Sequence, residues 1–114
     1  MDLDVLDTPS LVIDLDTLER NIAEMAAVAR AAGVRLRPHT KTHKSPEIAR
    51  MQVDAGATGI TVAKLGEAEV MADAGLDDLL IAFPLVGERK LERLRELLER
   101  AQVRAQSNGK VRFG

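Results

Sequence analysis

The chain has 114 residues, 46% hydrophobic and 30% charged, the balance of one soluble globular domain rather than a disordered segment. Sixteen Lys and Arg against eighteen Asp and Glu leave a net charge of −2, which gives no electrostatic case for nucleic acid or an anionic membrane. Without Cys there is no disulfide framework or thiolate chemistry, and with no Trp, no Tyr and two Phe there is no stacking platform for bases. No apolar run approaches the roughly 20 residues of a transmembrane helix. The acidic start (Asp2, Asp4, Asp7) does not read as a signal peptide, so a cytoplasmic setting fits.

Taken in order, residues 10–15 (Ser-Leu-Val-Ile-Asp-Leu) predict a leading strand. Asp16 and Glu19 have capping-box spacing and open a helix over 17–32, with Leu18, Ile22, Met25 and Ala29 on one apolar face. Gly33 after Ala32 is a helix stop, and the same Ala-Gly step recurs at Ala55-Gly56 and Ala74-Gly75. Each stop precedes a strand-like run: 34–41, 59–63 and 79–83. Ser45-Pro46 is an N-cap with Pro at the first helical position, starting a helix that ends near Ala55. Residues 67–74 predict a third helix and 87–101 a fourth, with Leu91, Leu94, Leu98 and Ala101 inside. This alternation is that of an α/β fold with a parallel sheet built from βα units. Past Val103-Arg104-Ala105 the chain turns to turn-forming and charged residues, so 1–105 reads as one unit and 106–114 as an atypical tail.

The stretch 34–44 carries the chemistry. With period 2, Val34, Leu36, Pro38 and Thr40 share one face, and Arg35, Arg37, His39 and Lys41 share the other. In a βα architecture the apolar face meets the helices and the basic face points inward, with Lys41 at the C-terminal end of the strand, where ligands collect. A lysine desolvated among cations has a lowered pKa, and its neutral amine can attack a carbonyl to form a Schiff base. The competing reading is an edge strand protected by its charges. His39 and His43 make a poor metal pair, because in extended backbone their rings stand about 13 Å apart. Lys44, beyond the strand, reads as solvated. Glu67 and Glu69 suit a helix N-terminus rather than catalysis.

Thr8-Pro9-Ser10-Leu11-Val12-Ile13-Asp14-Leu15 followed by a helix containing Asn21 resembles the opening of the fold-type III pyridoxal-phosphate enzymes. Arg37-Pro38-His39-Thr40-Lys41-Thr42-His43-Lys44 is similar to the cofactor-lysine motif of the D-threonine aldolase and D-serine dehydratase branch. The runs 59–69 and 77–84 look like the same branch. The resemblance covers residues 7 to about 104 and implies the N-terminal portion of an alanine racemase-like (β/α)8 TIM barrel: a leading strand and about three βα units of an incomplete barrel. It implies that Lys41 binds pyridoxal 5'-phosphate and is catalytic, with Arg37 and His39 as neighbouring cofactor-binding residues. Thr61, Ala63 and Lys64, at the next strand's end, either line the same mouth or simply pack there.

The implied activity is that of a lyase on D-β-hydroxy amino acids, cleaving D-threonine to glycine and acetaldehyde. The alternatives are a D-serine dehydratase-type deaminase, or a chain that binds the cofactor without turnover. Family members are several hundred residues long, form homodimers and use a divalent metal whose ligands are not in this chain. The 114 residues alone are therefore expected to be inactive.

Overall fold

The computed structural model describes residues 2–107 and 110–113. After a short 3-10 turn at Leu3–Val5, the order is α1 (Leu15–Ala32), α2 (Pro46–Asp54), β1 (Ile60–Val62), α3 (Leu65–Asp73), β2 (Asp78–Pro84), α4 (Glu88–Leu98), β3 (Gln102–Ser107) and β4 (Lys110–Phe113). The sheet runs β1-β2-β3-β4; β1, β2 and β3 are parallel, and β4 returns antiparallel to β3. The helices between the parallel strands are the βα units read from the sequence.

Helix ends follow local chemistry. Asp14, not Asp16, caps α1 by accepting the Thr17 N–H at 2.9 Å, because the helix starts at Leu15. Gly33 ends that helix in the left-handed conformation at φ 66°, as its Cβ-free backbone allows. Ser45 caps α2 through the Ile48 N–H at 3.2 Å, with Pro46 at the first position.

Ile60, Val62, Leu79, Ile81, Val103 and Ala105 point to one side of the sheet and form the core with Ala49, Leu65, Ala68, Met71 and Leu97 of the helices. In α4 the buried residue is Leu97, with Leu94 and Ala101 packed beside it. Leu91 and Leu98 are exposed, so the helix is rolled from the face its leucine spacing suggests. In α1, Ala26 and Ala29 are buried and Met25 is exposed.

Two expected strands differ from the ladder pattern. Among the described residues, 10–13 join no ladder, and Leu11, Val12 and Ile13 are exposed. The 34–41 segment does lie parallel beside β1, but through isolated bonds. Thr58 N donates to Leu36 O (2.9 Å), Thr61 N to Pro38 O (2.7 Å) and Thr40 N to Thr61 O (2.8 Å), with His39 and Thr61 as the one bridged pair. At the far edge, β3 runs through position 105 to Ser107 and pairs with β4, whereas the sequence pattern shows no strand alternation there. The turn-forming Asn108 and Gly109 lie outside the described residues.

Candidate active site

Register across the sheet builds the site. His39 pairs with Thr61, Thr61 with Leu80 and Leu80 with Arg104, so these four form one row on the face opposite the core. That face is the inner wall. Arg37 and Asp78 sit two residues earlier on their segments, toward the N-terminal end. Lys41 sits two residues later, at the C-terminal end. The period-2 expectation holds from Leu36 on, with Leu36 and Pro38 facing α1 and α2 and Thr40 wholly buried, but not at Val34, which is 61% exposed.

Lys41 follows directly on the last anchored residue. Thr40 fastens to β1 twice, through its N–H and its hydroxyl (3.1 Å), both donating to the Thr61 carbonyl. The chain then turns, and Lys44 N donates to Thr40 O at 2.7 Å. Inside this turn Lys41 N donates to His39 Nδ1 at 3.2 Å, and the Lys41 side chain is exposed, with no desolvating wall around it. Because His39 Nδ1 accepts, the neutral ring carries its proton on Nε2.

Arg37 is engaged elsewhere. Its guanidinium pairs with the Asp78 carboxylate at 2.9 Å and donates to the Asp78 carbonyl at 3.1 Å; Arg104 meets the same carboxylate at 2.6 Å. Burial alone would raise the Asp78 pKa, but hydrogen bonds and charge from Arg37 and Arg104 outweigh it and hold the carboxyl below its usual range. This cluster lies about 13 Å along the strand from Lys41 at the usual rise per residue.

His43 accepts the Ser45 N–H on Nδ1 at 3.0 Å, which leaves Nε2–H to donate to Gln52 Oε1 at 3.2 Å. It thus braces the turn against α2, separately from His39. Among the described residues no group of three or more His, Asp or Glu converges. Thr61 donates its hydroxyl to the Arg37 carbonyl at 3.2 Å, and Lys64 is exposed. Ala63, Lys64, Leu65, Phe83 and Lys90 line a cleft at the C-terminal ends of β1 and β2.

One contact was not legible in the sequence. Glu67, at the third position of α3, accepts the Ala63 N–H on Oε2 at 2.8 Å, and Lys44 Nζ lies 3.2 Å from Oε1. Burial would raise the Glu67 pKa, but the Ala63 N–H and Lys44 pull it below the ordinary value. The sequence reading opens this helix at Glu67, whereas it starts at Leu65, and that places the Glu67 carboxylate to fold back on the helix start. Its partner 23 residues away carries no cue in the sequence.

Residues 13–108 match the family described as alanine racemase, N-terminal domain. The chain belongs to that family. It is 54% identical over 84 residues to D-threo-3-hydroxyaspartate dehydratase of Delftia sp. (strain HT23), a match covering 74% of this chain and 22% of that protein. It is 45% identical over 98 residues to D-threonine aldolase of Arthrobacter sp., covering 86% of this chain and 26% of that protein. Among solved structures, D-threonine aldolase from Filomicrobium marinum superposes with a TM-score of 0.88 at 48% identity, over 90% of this chain and 28% of that one. The chain thus spans about a quarter of the length of the curated relatives it matches. Its sheet and helices are part of an alanine racemase-like barrel, incomplete within these residues.

The family is a pyridoxal-phosphate-dependent one of fold type III. The residues present fit one end of that cofactor. An exposed lysine amine stands where the inner-wall segment ends, on a turn anchored at Thr40, and a lysine amine is the group that bonds an aldehyde. They do not assemble a three-ligand metal set among the described residues.

Proposed function

We propose that this chain carries the cofactor-holding lysine of a pyridoxal-phosphate-dependent lyase acting on D-β-hydroxy amino acids. The observation that carries the reading is the place of Lys41, at the C-terminal end of the inner-wall segment and next to the His39–Thr61 pair. Support comes from relatives named for D-threonine, 3-hydroxyaspartate and D-serine chemistry. When bound, pyridoxal phosphate supplies an electron sink for a bond broken at the substrate Cα.

The chain's own residues have distinct tasks in this reading. Lys41 Nζ holds the cofactor covalently, and the doubly bonded Thr40 keeps the backbone beneath it from shifting. His39 forms the wall beside Lys41 and keeps Nε2–H available as a donor. Arg37 acts from below. With its charge shared with Asp78, it shapes and closes the floor of the inner wall rather than meeting the cofactor directly.

D-threonine cleavage to glycine and acetaldehyde is the preferred reaction, on the 0.88 TM-score with the Filomicrobium aldolase. Dehydration is the second reading, favoured by the 54% identity to the Delftia dehydratase. A homodimer is the proposed assembly of the whole enzyme.

The test is to add pyridoxal phosphate, reduce with borohydride and map the modified residue by mass spectrometry. Label at Lys41 is expected. Label only at Lys44 or Lys64, or none, overturns the assignment. Acetaldehyde release from D-threonine by the loaded chain supports the aldolase; label at Lys41 without turnover supports cofactor binding without catalysis.

A further inference from the structure

We propose that the Lys44–Glu67 ion pair is a clasp that fixes the turn carrying Lys41, making Lys44 and Glu67 positioning residues for the Lys41 amine. The proposal rests on the reading of Lys41 as the cofactor lysine, and three observations carry it.

The first is backbone conformation. Lys44, at φ 51°, is the one non-glycine residue with positive φ among the described residues. A residue with a Cβ is disfavoured there, and a glycine or asparagine would make the turn with less strain. A lysine held in that conformation is explained if its side chain has a task. Here the ammonium reaches Glu67 Oε1 at 3.2 Å.

The second is the burial of Glu67. Its side chain is 10% exposed, and Oε2 is occupied by the Ala63 N–H. Oε1 is buried with no hydrogen-bond donor aligned on it, so the Lys44 charge is what balances it. The carboxylate is therefore aimed at the turn rather than at solvent.

The third is the layout of fixed points. The turn is bound to β1 at its first residue, by the two bonds from Thr40 to Thr61 O. At its last residue it is bound through Lys44 and Glu67 to Ala63, two residues further along the same strand direction. Lys41 lies between the two attachments. Releasing the second leaves the turn held by the Lys44 N–H to Thr40 O bond and by the His43 brace, and removes its tie to the C-terminal end of β1, so the turn and Lys41 gain play relative to that end.

This clasp makes a prediction that ordinary structural support does not. The Lys44 side chain is 56% exposed but Glu67 Oε1 is buried, so losing the ammonium leaves that oxygen unbalanced and costs some stability as well as the tie. Its loss should misdirect Lys41 while leaving the fold intact.

The experiment compares the full chain with Lys44→Met, which removes the charge but leaves the Glu67–Ala63 bond, and with Lys44→Arg, which keeps the charge. Each is incubated with pyridoxal phosphate. The Lys41 amine nitrogen displaces the aldehyde oxygen, which leaves as water, and borohydride reduces the resulting C=N bond to an amine. Absorbance is followed before reduction, and label is mapped afterwards. Lys44→Met is expected to slow labelling of Lys41 by about 5- to 10-fold, because small misplacements of a reacting group are costly in rate. The melting temperature should fall modestly, labelling at Lys64 well below the transition should stay unchanged, and Lys44→Arg should recover most of the lost rate. Wild-type labelling of Lys41 in Lys44→Met overturns the proposal. So does an equal slowing at Lys41 and Lys64, which marks plain structural support. An unaltered chain that takes no label at Lys41 overturns the cofactor-lysine reading as well, and is distinguished because it appears before any substitution.

Discussion

Gly59 lies against the Arg37 guanidinium: a Cβ at Gly59 would stand 2.3 Å from Arg37 Nη1 and 2.4 Å from the Asp78 carbonyl oxygen. The side chain could swing away, but the carbonyl belongs to β2 and cannot. The absence of a Cβ is thus what lets the inner-wall arginine cross β1 to reach its carboxylate. Gly59→Ala is expected to destabilise the chain by about 1–3 kcal/mol, the usual cost of overpacking. Urea unfolding measures it, and an unchanged midpoint would show that the close approach is not required.

Asp78 makes stability depend on acid. Its folded pKa lies below the ordinary carboxyl value, so the stabilisation is fully present above the unfolded pKa, about 3.9. It is lost as pH falls through the lower folded value. Glu67 shifts in the same direction and adds to the loss in the same acid range, below about pH 4.3. Urea midpoints measured from pH 6 down to pH 2.5 (roughly the span of both transitions) should fall toward the acid end. Asp78→Asn should lower the midpoint at neutral pH and flatten the slope. A slope identical to that of the unaltered chain would remove Asp78 from the account.

Thr40 is buried, and its hydroxyl donates to Thr61 O. Thr40→Val keeps the shape and the backbone bond but removes that donor. A loss of about 1 kcal/mol is expected, the net worth of one buried hydrogen bond. Labelling of Lys41 should slow with it if Thr40 anchors the turn. Thermal melts and borohydride trapping on the same sample separate the two effects.

Ser45 caps α2 and follows the His43 brace. Ser45→Ala should cost about 1 kcal/mol, within the usual range for an N-cap, and lower the helical circular dichroism signal modestly. Ser45→Asp should retain most of the stability, since its carboxylate also accepts from the helix N-terminus. If both variants lose equally, the side-chain cap is not what matters there.

His39 accepts the Lys41 N–H. Removing that acceptor in His39→Ala should slow trapping of Lys41 about 5-fold, the rate equivalent of about 1 kcal/mol, with little change in melting temperature. An unaffected trapping rate would leave His39 as wall packing only.

Local order along the chain was legible because it is set by neighbouring residues. Gly33 ends a helix because it has no Cβ, and Ser45-Pro46 starts one because the hydroxyl and the fixed φ suit the first turn. The alternation of 34–41 placed Arg37, His39 and Lys41 on one face, and the RPHTKTHK run singled out Lys41. What each side chain reaches was decided by tertiary structure. The pairing of Arg37 with Asp78 is brought about by the β1–β2 register and by the missing Cβ of Gly59. Lys44 is solvated as its position beyond the strand suggests, with its side chain 56% exposed, but only the fold shows that its ammonium also meets Glu67. Likewise Leu97 rather than Leu98 fills the core of α4, because the roll of a helix is set by the surface it packs on. Periodicity is a property of a few adjacent residues, and one sequence carries it. Long side chains choose partners dozens of residues away, and only the folded register brings those partners within reach.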